Sequence, residues 1–340
     1  MYLSVGEYGK AKEYVNKALS ISKEIDDRNG AAVCYGILGS LYKSLGEFRK
    51  AEECQKKALV ITKEIANRER EAASYGSLGT VYSNLGEYGK AEEYQRKALM
   101  IGKEIGDRKG EAACYGNLGA AFQSLGEYSM AEEYQKKALV IRKEIKDRKG
   151  KADCYGNLGT LYLFLGEYGK AEDSQKKALV IIKEIGDRIG EATCYGNLGT
   201  VYKSRGEFCK AEEYQTKTLV IRKEIGDREG EAACYTNLGT LCLSLGKYAK
   251  AKTYHEKALS VSREIGDISK QLTCHLHLAF DALSEGNMAQ QDVFSNLFSS
   301  IQRCEEMRSL LGDNDRFTED IIFSPTRYFL PFTRCLALQK

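Results

Sequence analysis

Apolar and small residues return along the chain at spacings of three and four, the periodicity of one face of an α-helix. Residues 106–145 contain two such sets separated by Gly126. The first set is Ala112, Tyr115, Leu118, Gly119 and Phe122, and the second is Tyr128, Ala131, Tyr134, Ala138, Leu139, Ile141 and Ile145. Asp107 can cap the first helix, and Gly126 favours a break between the two. The pattern therefore predicts a helical hairpin.

The same pattern returns every 40 residues without drift. Leucine, for example, stands at Leu38, Leu78, Leu118, Leu158, Leu198, Leu238 and Leu278. A fixed period of this length is typical of a quasi-one-dimensional array of stacked units. We predict a partial first repeat (second helix only) in 1–26, six complete units in 27–266, a degenerate capping repeat in 267–311 and an irregular tail in 312–340. The seventh unit is degenerate because Asp281 and Ala282 replace an apolar and an aromatic residue.

Glycines also stand inside the predicted first helices. They are Gly39, Gly79, Gly119, Gly159, Gly199 and Gly239. A glycine in a helix costs about 1 kcal/mol relative to alanine. We therefore expect the backbones of the paired helices to approach closely at these positions.

These residues resemble the tetratricopeptide repeat. The resemblance is carried by Tyr115-Gly116-Asn117-Leu118-Gly119, followed by Phe122, Gly126, Tyr128, Ala131, Ala138 and Leu139. The sequence departs from that repeat at Gln135, which takes the place of an aromatic residue, and in lacking the closing proline. The resemblance implies an all-α fold, an α-solenoid in which stacked helical hairpins form a right-handed superhelix.

The 40-residue unit with its Ile-Gly-Asp-Arg turn is similar to the repeats of the G-protein signalling modulators. It is more similar to the long animal proteins related to tetratricopeptide repeat protein 28, which end in a caspase-like CHAT domain. Residues 301–317 resemble the segment that joins the repeats to that domain, and 23 residues follow Phe317. One hypothesis is therefore that the chain is the regulatory repeat arm of a truncated CHAT-domain protein.

Charge and hydropathy narrow the classes of partner. The chain has 51 basic and 48 acidic residues and a net charge of +3, whereas nucleic-acid binders usually carry a concentrated basic excess. No apolar run approaches the roughly 20 residues that cross a bilayer, and the first residues lack the pattern of a secretory signal. We expect a cytoplasmic protein that binds neither nucleic acid nor membrane.

The chain offers little for catalysis or metal binding. Six of its 11 cysteines occupy one position in successive units: Cys34, Cys114, Cys154, Cys194, Cys234 and Cys274. Equivalent helices lie about 10 Å apart, beyond the roughly 7 Å Cα separation of a disulfide, so we expect reduced core thiols. His275 and His277 are interpreted as helix-surface or groove residues. We predict no catalytic residue, no metal site and no cofactor, and we do not expect an enzyme.

The resemblance places the first helix of each pair on the concave face of the solenoid. The predicted groove residues are Asn117, Asn157, Asn197, Asn237, Thr160, Thr200, Thr240, Gly116, Gly156, Gly196 and Phe164. An asparagine amide can pair with both N–H and C=O of an extended peptide. One asparagine every roughly 10 Å matches about three residues of a strand. Alternatively, these asparagines bond neighbouring helices and only shape the solenoid.

The sequence leaves three functions open. The first is a non-catalytic, signalling-type scaffold or adaptor that binds a peptide or helix of a partner protein in the groove. Chaperone-tail receptors of this family use basic groove residues where this chain has Ala113, Asp153, Thr193 and Ala233, so we do not expect it to clamp a carboxylate. The second is the CHAT-domain arm. The third is a self-associating array, joined through an N-terminal helix that exposes Tyr8, Ala11, Tyr14 and Leu19.

Overall fold

The computed structural model describes residues 5–284, 295–296, 298–299 and 301–303, and within these residues the fold is all-α. Residues 5–284 form fourteen helices. They are α1 (Val5–Glu24), α2 (Arg28–Ser44), α3 (Phe48–Glu64), α4 (Arg68–Asn84), α5 (Tyr88–Ile105), α6 (Arg108–Ser124), α7 (Tyr128–Glu144), α8 (Arg148–Phe164), α9 (Tyr168–Ile185), α10 (Arg188–Ser204), α11 (Phe208–Glu224), α12 (Arg228–Ser244), α13 (Tyr248–Glu264) and α14 (Ile268–Ser284). The predicted fold class is confirmed.

Short polar residues and glycines set the helix ends. The N-cap of each first helix of a pair accepts a hydrogen bond from the backbone N–H three residues later, as Asp107 does from Gly110 at 2.8 Å. Such a cap satisfies one of the four unpaired N–H groups at a helix start. Between the helices of a pair the chain turns at a glycine with positive φ, for example 78° at Gly126. Only glycine adopts that conformation without strain.

The helices belong to two compact units, Met1–Gly186 and Asp187–Lys340. The first unit contains α1 and the hairpins α2/α3, α4/α5, α6/α7 and α8/α9. The second contains the hairpins α10/α11 and α12/α13, followed by α14. In both units the hairpins stack around fully buried side chains such as Leu118 and Leu238. The predicted division into repeats stays a prediction, and residues 304–340 lie outside the described part of the chain.

A buried glutamine joins the two helices of each of five hairpins. Its Nε2 donates to a carbonyl of the first helix, in the pairs Gln55–Gly36, Gln95–Gly76, Gln135–Gly116, Gln175–Gly156 and Gln215–Gly196, at 2.9–3.2 Å. Three residues after that carbonyl stands the helix glycine. A Cβ at Gly119 would lie 2.8 Å from Gln135 Nε2. The expectation of close backbone approach is therefore wrong, because the glutamine side chain occupies the space.

Tyrosine–glutamate hydrogen bonds link neighbouring hairpins of the first unit. Tyr82 Oη donates to Glu52 Oε1 at 2.7 Å, and Tyr162 Oη donates to Glu132 Oε1 at 2.6 Å. Burial and the carboxylate of Glu52 raise the pKa of Tyr82 to about 12. The phenol therefore keeps its proton and remains a donor at neutral pH.

Two glycines of α6 give a matched test of the glutamine contact. We expect Gly119→Ala to lower the free energy of unfolding by about 1–3 kcal/mol, because its Cβ would overlap the Gln135 side chain. Gly116→Ala has nothing within 4 Å of the new Cβ and should raise the same quantity by up to about 1 kcal/mol. Urea denaturation followed by circular dichroism measures both. Equal effects would contradict the assignment.

Candidate functional site

The predicted groove residues lie on the first helices of four hairpins, two in each unit, and we call the surface that these helices present within a unit the first-helix face. In the first unit, Asn117 and Asn157 are exposed and Phe164 is 66% exposed. In the second unit, Asn237 is exposed and Asn197 is half-buried. Each unit thus presents two of the four asparagines, and their role in binding stays a prediction.

Each asparagine follows a buried glutamine by 22 residues. Asn157 Nδ2 donates to Oε1 of Gln135 in the preceding hairpin, at 3.5 Å. The Oε1 atoms of Gln95 and Gln215 are buried without a hydrogen-bond partner among the described residues, and the asparagines at the same spacing are Asn117 and Asn237. An unpaired buried acceptor costs about 1–3 kcal/mol. An asparagine amide can therefore hydrogen-bond either to the glutamine that precedes it by 22 residues or to a ligand on the exposed surface.

The threonines have less donor capacity than the sequence suggests. The Oγ1 of each donates to the carbonyl four residues earlier: Thr160 to Gly156 at 3.2 Å, Thr200 to Gly196 at 3.1 Å and Thr240 to Thr236 at 2.9 Å. With their hydrogens used inside the helix, these hydroxyls are left as acceptors.

The predicted groove glycines are half-buried. A Cβ at Gly116 or Gly156 would meet nothing within 4 Å, and one at Gly196 would lie 3.8 Å from the side chain of Thr218. The carbonyls of all three accept the glutamine hydrogen bonds. These glycines therefore leave open surface beside the asparagines, and their carbonyls already have partners.

A cavity of about 660 Å³ lies in the first unit at the start of α6. It is lined by Glu69, Ile105, Gly106, Asp107, Lys109, Gly110, Ala113 and Arg142. Ala113 precedes Asn117 by four residues on the same helix, so the cavity adjoins the first-helix face. The sequence pattern did not predict this cavity.

The described residues contain no cluster of three or more histidine, cysteine or acidic side chains arranged to hold a metal ion. In that same part of the chain, no helix is both long and apolar enough to cross a membrane. The six repeated cysteines are buried, and burial raises the pKa of the Cys114, Cys154 and Cys234 thiols to about 11. Those thiols stay protonated and poorly nucleophilic at neutral pH.

The second unit contains a buried polar chain that sequence reasoning missed. His255 Nδ1 lies 2.6 Å from Asp281 Oδ2, and His255 Nε2 lies 3.1 Å from His277 Nδ1. His255 and Asp281 are fully buried, His275 is 5% exposed and His277 is half-buried. The interpretation of His275 as a surface or groove residue is therefore wrong, whereas that of His277, which is half-buried at the repeat position of the asparagines, stays a prediction. The available signal was His255 at the glutamine position together with Asp281 at an apolar position.

The buried histidines predict a dependence of stability on pH. Burial and the neighbouring His255 lower the pKa of His277 to about 4, below its ordinary value of about 6.5. The folded state therefore binds a proton less readily than the unfolded state, and stability falls as the pH drops from about 6.5 towards 4. We expect a loss of about 2 kcal/mol, after allowance for partial exposure.

Urea midpoints at pH 7, 6 and 5 measure this loss. His277→Asn restores the residue found at the equivalent position of four earlier repeats and should flatten the pH dependence. His275, whose pKa burial also lowers, remains in that variant and should leave a smaller slope. An unchanged slope in His277→Asn would contradict the assignment.

The sequence matches the model of the tetratricopeptide repeat at residues 1–64, 70–144, 131–184, 150–224 and 192–264. No curated protein sequence matches the chain. Among solved structures, BtubC (BKLC) from P. vanneervenii is similar with 25% identity and a TM-score of 0.57, over 64% of this chain and 92% of that one.

Two further structures share the fold. One is a Signal Transduction ATPase with Numerous Domains protein with a tetratricopeptide repeat sensor from Pyrococcus horikoshii, with 19% identity and a TM-score of 0.67 over 84% of this chain and 43% of that one. The other is a Rap protein complexed with competence and sporulation factor, with 16% identity and a TM-score of 0.56 over 97% of this chain and 100% of that one. At these identities the similarity shows the fold alone.

Proposed function

The chain belongs to the tetratricopeptide repeat family, and we propose that it is a non-catalytic scaffold that binds a segment of a partner protein along the first-helix face. Folds of this family generally serve as interaction scaffolds, and their function depends on the surface that the repeats present. The observation that carries the proposal is the row of asparagine amides at one repeated position, each preceded by a glycine or threonine on an open surface.

The chemistry of this surface supports an extended or helical segment held by its backbone. An asparagine amide carries two donors and an acceptor, of which Asn157 already uses one donor on Gln135, and the threonine hydroxyls offer acceptors. The open surface at Gly116 and Gly156 lets a ligand backbone come close to the helix. Backbone recognition of this kind gives affinity, while pockets between the helices give sequence preference.

The side chains around the asparagines support a ligand of mixed polarity. Ala113, Asp153, Thr193 and Ala233 are all exposed and provide no cation for a terminal carboxylate. Phe164 adds a large exposed apolar side chain in the first unit. The fold is shared with a protein that has a tetratricopeptide repeat sensor and with a Rap protein complexed with a factor, which is compatible with an adaptor role in signalling that we include in the proposal.

The two alternative functions stay predictions. The CHAT-domain arm rests mainly on the tail, of which residues 304–340 lie outside the described residues. Self-association through α1 has some support, since Tyr14 is 69% exposed and Ile21 is 56% exposed. Leu19, however, is buried against α2, so the expectation that it is exposed is wrong. A cytoplasmic location also stays a prediction.

A fourfold asparagine variant tests the proposal in the full chain. Asn117, Asn157, Asn197 and Asn237 are changed together to alanine, and captured proteins from a native lysate are compared by mass spectrometry. Each lost hydrogen bond weakens binding by about 1 kcal/mol, so loss of the two asparagines of one unit predicts about thirtyfold lower affinity for a segment captured by that unit. Isothermal titration calorimetry with that segment measures the change.

The matched control changes Val60, Val140, Val180 and Val220 to alanine. These residues are 50–58% exposed and lie on the second helices. We expect the control to bind like the unaltered chain. Equal binding by the asparagine variant would refute the proposal, and so would an asparagine variant that circular dichroism shows to be unfolded, because the asparagines would then be structural.

A further inference from the structure

At two junctions, where one hairpin ends and the next begins, an arginine fills a slot between helices. In the first unit, Arg142 of α7 pairs with Asp147, the N-cap of α8. In the second unit, Arg222 of α11 pairs in the same way with Asp227, the N-cap of α12. These four side chains are mostly buried. The slot at a junction is thus a place where this fold accepts a guanidinium.

Each arginine lies across a glycine of the next helix. A Cβ at Gly150 would lie 2.6 Å from Arg142 Cδ, and one at Gly230 would lie 2.7 Å from Arg222 Cδ. The glycine therefore forms the floor of the slot, and the aspartate forms its end. An aligned carboxylate is the preferred partner of a planar guanidinium, because two parallel N–H groups can donate to its two oxygens.

The junction between α5 and α6 has the floor and the end of this slot but no arginine. Gly102 stands at the position of Arg142 and Arg222, while Asp107 and Gly110 keep the aspartate and the glycine. The nearest atoms to a Cβ at Gly110 all belong to Asp107. Asp107 and Gly110, the equivalents of the residues that the arginine contacts elsewhere, here line the cavity at the start of α6. We call the space between Gly102, Asp107 and Gly110 the Gly102 slot.

The charges around the Gly102 slot suit a cation. Asp107 Oδ1 accepts from Gly110 N–H at 2.8 Å, and within the described residues neither Asp107 nor Glu69 forms an ion pair. Two basic residues line the same cavity: Arg142 is already paired with Asp147, and Lys109 forms no ion pair with either carboxylate among the described residues. Two carboxylates without a basic partner therefore line the Gly102 slot. At the same position, the junctions α7/α8 and α11/α12 each supply an arginine as that partner.

The other aspartate junctions differ in what lies beside the carboxylate. Asp267 pairs with Lys270 at 2.6 Å. Beside Asp27, the Ser22 hydroxyl occupies part of the slot, since a Cβ at Gly30 would lie 2.8 Å from Ser22 Oγ. The slot at Asp107 is distinguished by having glycine at both positions that an arginine side chain would cross.

We propose that the Gly102 slot is a subsite for an arginine side chain of the bound partner segment, an inference that rests on the proposed function. The side chain crosses Gly102 and Gly110, and its guanidinium donates two hydrogen bonds to the Asp107 carboxylate with Glu69 opposite. Ala113, in the wall of the cavity, precedes Asn117 by one turn of α6. A segment held by Asn117 can therefore insert one arginine into the slot.

A short arginine peptide tests the subsite directly. The probe is N-acetyl-Gly-Arg-Gly-amide, compared with the same peptide carrying neutral citrulline, and binding is followed by amide chemical shifts of Gly110 and Ala113 in the full chain. We expect a saturable shift with the arginine peptide. Citrulline should bind about tenfold more weakly, the loss typical of one charge-assisted hydrogen bond.

Three variants make the test specific. Gly102→Arg supplies the arginine from within, as in the sister junctions, and should abolish probe binding. The new Cβ fits, since it would lie 3.8 Å from Asp107 O and Glu111 N. Asp107→Asn keeps a good N-cap and should weaken the probe about tenfold. Asp27→Asn is the matched control at another junction and should bind the probe normally.

Equal binding of the citrulline peptide, or undiminished binding by Gly102→Arg, would overturn the subsite. The fourfold asparagine variant separates this result from the proposed function, because it leaves the slot intact and should still bind the short probe. Loss of the partner segment from that variant without any probe binding by the unaltered chain would refute the subsite and leave the scaffold function standing.

Discussion

The hydrogen bond from a buried glutamine to a first-helix carbonyl is the constraint on which five of the six described hairpins depend. An amide buried without a partner is costly, so the glutamine must reach across to the facing helix. It reaches the carbonyl of Gly116 in the hairpin α6/α7 because Gly119, three residues later, has no side chain in its path. The helix glycine, which is unfavourable for the isolated helix, is therefore required by the packed pair.

The same interaction shapes the candidate binding surface. The glutamine donates a hydrogen bond to the carbonyl of the residue just before the asparagine. The first helix is therefore held on its buried side at the point where its exposed side would contact a ligand. The glutamine Oε1 can then accept a hydrogen bond from the asparagine 22 residues later, as Gln135 Oε1 does from Asn157. The Oε1 of Gln95 has no hydrogen-bond partner among the described residues, and Asn117 stands at the same sequence spacing from it.

The fold could be predicted from the 40-residue period, because each period contains two helical apolar faces with a glycine between them. The exposure of Asn117 and Asn157 also follows from that periodicity. The role of Gln135 could not be predicted, since a sequence does not show which atom a buried amide will meet across a hairpin. The Gly102 slot was missed for a related reason: a missing side chain matters only when its neighbours in space are known. The burial of His275 and the partial burial of His277 were missed because they depend on how α14 packs.

Each glutamine bond closes within a single hairpin, and this has a consequence for how arrays of this kind can vary. Removing or inserting 40 residues in frame would leave every remaining bond of this type intact, because each glutamine Nε2 donates within its own hairpin. A recombination event between two such units would therefore yield a protein that still folds. The number of repeats in an array can thus change by whole 40-residue repeats without any change in the core. The length of partner that the proposed binding surface could span would change with it.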